Sequence, residues 1–65
     1  LPRPGSLYCM RDFAQVVVEV RGSVILRNRI HGQEVGVVYR RRGEDHDTCR
    51  GSAEFSRLFQ LVGNG

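Results

Sequence analysis

Few residues in this 65-residue chain are equipped for chemistry: two cysteines, two histidines, seven carboxylates and ten arginines. Cys9 and Cys49 bracket nearly every stretch that reads as β-strand. An even cysteine count in so short a chain reads as a disulfide. Closing a loop of about 40 residues would stabilise the fold by roughly 4 kcal/mol, comparable with the net stability of so small a core. The alternative is a pair of free thiols, buried as cysteine commonly is. Neither cysteine belongs to a C-x-x-C motif, so no redox activity is expected. His46-Asp47-Thr48-Cys49, taken with Cys9 and His31, offers one close histidine–cysteine pair. Structural zinc usually needs two such pairs converging tetrahedrally, so no metal is expected. The chain carries no nucleophile elbow, glycine-rich phosphate loop or paired-carboxylate constellation. Glu44, Asp45 and Asp47 stand beside Arg40, Arg41 and Arg42, where they offset a basic run. The expectation is a protein that is not an enzyme and uses no cofactor.

The arginines supply the best binding chemistry. Net charge is +3 and lysine is absent. A GC-rich genome accounts for that usage; a sharper reading is escape from lysine-directed ubiquitination in a host cytosol. Arg27 and Arg29 alternate along one segment, and Arg40 and Arg42 along the next. If the two segments pair through a turn at His31-Gly32, the four guanidiniums form one ridge able to grip phosphates or carboxylates by bidentate bonds. No aromatic residue interleaves with them on that face, Tyr39 having the wrong parity, so nucleic acid ranks below protein as the partner. The competing reading is a solvated face with cross-strand pairs to Glu19 and Glu34. An open strand edge at Gln15, Val17, Glu19 and Arg21 is a second candidate surface, for docking another protein's strand.

The elements that must position these residues follow from a period of two. In Gln15–Arg21 every even position is valine while the odd ones include Gln, Glu and Arg. Gly22-Ser23 reads as a tight turn. Ser23–Ile30 follows, with Val24, Leu26 and Ile30 facing inward. His31-Gly32-Gln33 reads as a second turn, and Glu34–Arg41 as a third strand with Val35, Val37 and Tyr39 inward. Leu7–Met10 is a short strand carrying Cys9, and Arg42–Arg50 a charged loop holding Cys49. Ser52–Val62 fits two periods. Phe55, Leu58, Phe59 and Val62 have helical spacing with Ser52 as a cap, whereas Phe55, Phe59 and Leu61 fit strand. Strand is preferred, because a meander needs a second layer. The domain spans residues 7–62, between a loose arm at 1–6 and a tail at 63–65. No apolar run approaches the roughly 18 residues of a membrane span.

Cysteines flanking three turn-connected strands give the chain a resemblance to the MAX effectors, small secreted proteins of plant-pathogenic fungi. In that family the cysteine pair joins the first strand to the region just before the fifth, as Cys9 and Cys49 would here. The resemblance covers residues 7–62. It implies an all-β fold, a six-stranded antiparallel β-sandwich of two three-stranded sheets clamped by one disulfide. It also implies a monomeric virulence effector, secreted and acting inside host cells without touching membrane. Its partner would be a host protein such as a heavy-metal-associated domain or an immune receptor. Two alternatives stand beside it: a small SH3-like or OB-like basic barrel binding nucleic acid, and an inhibitor of a secreted enzyme presenting Arg42–Cys49.

Overall fold

The computed structural model describes residues 1–30 and 32–64, without the side chains of Asn28 and Asn64. Alternating valines build a single antiparallel sheet: β1 (Ser6–Met10), β2 (Val17–Asn28), β3 (Gly32–Arg41), β4 (Thr48–Gly51) and β5 (Phe59–Asn64). One helix, α1 (Ser52–Leu58), precedes the last strand. The strands lie in the order β4-β3-β2-β1-β5, and the sheet curls. This corrects the expected sandwich: the second layer over the meander is a seven-residue helix, and the sheet has five strands.

The core forms where the curl closes on α1. Val18 and Val20 of β2 and Val37 and Tyr39 of β3 are buried on one face, as the alternation requires. Phe55 is fully buried beneath α1. Its ring meets Tyr8 edge-on at 5.0 Å and Tyr39 at 5.3 Å, and stacks on Phe59 at 4.7 Å. Such aromatic pairs add about 0.5–1.5 kcal/mol each beyond their buried area.

Phe59 is where the two competing periods meet. Its N–H still donates to the Phe55 carbonyl as the helix ends, yet its backbone is already extended (φ −123°, ψ 155°). Helical spacing places Phe55 and Phe59 together under the sheet. The strand then runs from Phe59 through Asn64, leaving Leu61 and Val62 more than half exposed. Both readings of Ser52–Val62 therefore hold in part. Gly51, not Ser52, occupies the cap position, with no side-chain cap bond.

The expected turn at Gly22-Ser23 is absent. The two predicted strands on either side are one long strand, β2, with a bulge between Val20 and Gly22. An extra residue at that point shifts the facing of everything beyond it. Val18 and Val20 share the core face with Tyr39, but past the bulge the partners of Val37 and Val35 are Ser23 and Ile25. Val24 and Leu26, expected inward, stand on the opposite face, and Ile30 is 84% exposed. The hairpin closes through Gly32, whose φ of +74° only glycine adopts without strain. His31 of the expected turn lies outside the described residues.

The disulfide is also corrected. Cys9 pairs with Val17, and Cys49 with Val38, so both occupy the face opposite the aromatic core. With β2 and β3 lying between β1 and β4, the cysteines are three strand spacings apart, roughly 14 Å. A disulfide needs Cα atoms within about 7 Å. Both thiols are free; Cys9 is buried and Cys49, on a strand and not a loop, is exposed. The two structural features that the family resemblance implied, the clamp and the six-stranded sandwich, are thus replaced by other structure.

Candidate functional site

The most unusual surface is the outer half of the β2–β3 hairpin. β1 covers β2 only across Val17–Glu19, with one further bond from Gly5 N–H to the Val20 carbonyl. β4 covers β3 only across Gly36–Tyr39. Beyond those points the β2 edge is open from Gly22 to Asn28, and Ile25–Asn28 with Gly32–Val35 form a two-stranded arm with no third strand on either side among the described residues. An isolated two-stranded ribbon has little stability in water.

The chain itself keeps the β2 edge open. Extended backward, β1 would run beside Arg21–Asn28. It turns away instead at Pro4-Gly5, where Gly5 has φ +88° and the Ser6 N–H and hydroxyl both donate to the Arg3 carbonyl. Leu1 and Pro2 then lie near Tyr8 and Ser52, away from the arm.

The arm's sequence does not match its exposure. Val24-Ile25-Leu26 is an uninterrupted apolar run, the pattern of a strand covered on both faces. Ile25 is nevertheless 63% exposed and Val24 41%. Leu26 is half-buried on the outer face, where it and the Cys49 sulfur crowd over Gly36. The backbone completes the picture. Val16 and Val20 turn their carbonyls toward β1, accepting from Met10 and Gly5. The bulge switches that parity, so Ser23, Ile25 and Arg27 present their amides and carbonyls to the open side.

The arginine ridge does not assemble. Arg27 pairs with Gln33 near the tip, while Arg40 pairs with Glu19 at the base. Seven residues of β3 separate those positions, roughly 23 Å, and their parities put Arg27 and Arg40 on opposite faces. Arg40 is held by Asp47 at 2.8 Å. Arg42 lies at the base near Arg21 and Glu44, and Arg29 is exposed in the turn. The expected edge at 15–21 is corrected too. Val17 and Glu19 lie in mid-sheet between β1 and β3. Gln15 precedes the strand in an exposed turn, and Arg21 is the extra residue of the bulge, 3.4 Å from Glu19. The open edge of β2 thus begins where the predicted one ended.

Sequence reasoning missed Ile25 and Arg41. The unbroken Val-Ile-Leu run was a visible sign for the first, and shared parity with Tyr39 for the second. No group of three or more histidines, cysteines or carboxylates able to hold a metal occurs among the described residues. His46 faces Glu44 at 2.7 Å and Asp45 at 3.4 Å. No helix among the described residues is long and apolar enough to cross a membrane. Comparison with protein-family models, curated proteins and solved structures finds no match to this chain.

Proposed function

We propose that this protein is a non-catalytic binding module that docks an extended segment of another protein on the open edge of β2. One observation carries the reading: three consecutive apolar residues, Val24-Ile25-Leu26, lie on a strand whose edge is unpaired, with Val24 and Ile25 exposed and Leu26 half-buried. An added strand would satisfy the amides and carbonyls of Ser23, Ile25 and Arg27 and cover apolar surface. It would run antiparallel to β2, in line with β1, and stop at the Pro4-Gly5 turn.

Charge selects the occupant. The arm carries Arg27 and Arg29 against one carboxylate, Glu34, and Arg21 stands at the bulge beside Glu19. A second copy paired antiparallel about Ile25 would set Arg21 against Arg29 twice, and like charges directly opposite are destabilising. A strand alternating apolar and acidic residues removes that repulsion and adds charge-assisted bonds. The strand order, with a short helix before the last strand, fits an SH3-like barrel, a plan that serves many binding functions. Secretion, virulence and a host partner belong to the fungal-effector resemblance, and strand docking requires none of them.

The test is titration of the isotope-labelled protein with a synthetic peptide alternating valine and glutamate, followed by backbone NMR. Expected are shifts confined to Gly22–Asn28, slowed amide exchange at Ser23, Ile25 and Arg27, and loss of binding when the peptide amides are N-methylated. Absence of binding, or equal binding by the N-methylated peptide, would refute strand addition. Concentration-dependent dimerisation through the same edge would replace the peptide by a second copy. Tighter binding of a short DNA duplex at Arg27 and Arg29 would move the assignment to nucleic acid.

A further inference from the structure

At the opposite end of β2 from the arm, the curled sheet opens into a cleft of about 210 Å³. Its floor is apolar, made by Met10, Val18, Leu58 and Phe59. Two guanidiniums stand at its rim. Arg50 is fixed there: its Nε donates to the Tyr39 hydroxyl at 2.8 Å and one terminal nitrogen to Glu54 at 2.8 Å. The bond to the Tyr39 hydroxyl raises the Arg50 pKa further, so the group stays charged.

Arg41 is placed differently. It follows Tyr39 on the core-facing parity of β3 and lies opposite Val18, yet its side chain has no hydrogen bond or ion pair among the described residues. The carboxylate nearest at hand, Glu44, also lines the cleft, but it is engaged by the His46 Nε2 at 2.7 Å. Arg41 is exposed where it lines the cleft, so its guanidinium is open to a ligand seated on the apolar floor.

We propose that this cleft binds an apolar carboxylate, with one ring or branched chain on the floor and the carboxylate on Arg41, supported by Arg50. The volume limits the occupant to about one ring and its side arm, less than the roughly 300 Å³ at which drug-sized pockets begin. Two sources offer that chemistry: a free aromatic acid, and the C-terminal residue of a protein chain. The site lies at the far end of β2 and stands independently of strand docking on the arm.

The experiment is a titration of the full chain, followed by the NMR signals of Met10, Val18 and Phe59. The probes are 3-phenylpropionate, its neutral amide, and a short peptide ending in phenylalanine with a free or amidated C-terminus. The carboxylates should bind at least about tenfold more tightly than the matching amides, a difference of about 1.4 kcal/mol. Arg41→Gln should remove most of that preference while leaving the folded spectrum intact, because the exposed side chain makes no hydrogen bond or ion pair among the described residues. Arg41→Lys should restore part of it, since a point charge replaces a bidentate fork. Binding by the peptide alone would identify a chain terminus as the source; binding by both would identify the free acid as sufficient. Equal affinity for acid and amide, no shift at the three reporter residues, or an unchanged preference in Arg41→Gln would overturn the proposal.

Discussion

Single side chains divide this protein into a part that holds and a part that waits. Phe55 is fully buried and touches three other aromatic rings. Phe55→Ala should cost about 3–5 kcal/mol, most of the stability available to so small a domain, and urea denaturation would show a broad or lost transition. Ile25 is the counterpart: Ile25→Glu should leave the melting temperature within a few degrees while removing binding of the valine–glutamate peptide. Arg27→Glu should weaken the same peptide and favour a lysine version of it. Equal affinity for the two peptides in that variant would exclude the arginine from partner selection. The thiols give a third check. With no reduction, an alkylating reagent should label Cys49 at once and Cys9 only on unfolding, read by intact mass; failure of both to react before reduction would contradict the separation of β1 and β4.

The elements show how one added residue redirects a strand. The bulge after Val20 lets β2 remain continuous for 12 residues while its side chains change faces. Without it, Ile25 would share a face with Val24's present neighbours, and the core and arm would follow one alternation. Gly36 holds the outer face together differently. A Cβ there would come within 2.8 Å of both the Cys49 sulfur and the Leu26 Cδ1. Gly36→Ala should therefore cost about 1–3 kcal/mol by overpacking, and a thermal melt would register it. A stability equal to the parent protein would mean that Leu26 and Cys49 move apart freely. The sheet register was partly legible in advance. Valine parity identified Val18, Val20, Val37 and Tyr39 as the inner face, because alternation is local and survives wherever register is unbroken. The bulge carried no comparable sign: Gly22-Ser23 is equally good turn sequence, and only pairing with β3 decides between turn and bulge.

At the scale of the whole molecule, the shape is elongated, 34 × 22 × 19 Å. A domain of this size exposes much of its surface, and isolated apolar side chains on it are ordinary. A contiguous apolar run along an open edge is also an aggregation hazard, which the net charge of +3 counters. Lowering that charge should reveal the edge: Arg27→Gln together with Arg29→Gln should increase self-association, measured by sedimentation at several concentrations. A variant as monomeric as the parent would show that the edge is protected by its twist and bulge. The candidate site was less legible than the fold. Its apolar run and its arginines are plain in the sequence, but which of them share a face, and which edge lacks a neighbour, depends on partners far along the chain.

The sequence by itself determined the antiparallel β character and the inward facing of Val18, Val20, Val37 and Tyr39, since both follow from residue type and spacing over a few positions. Tertiary structure alone decided the rest. It set the cysteines three strands apart, because strand order is a long-range property. It made one region both helix and strand, because Phe55 must reach the core while Phe59 begins a strand beside β1. It also left the β2 edge open, because β1 turns aside at Pro4-Gly5 before it could cover Val24-Ile25-Leu26.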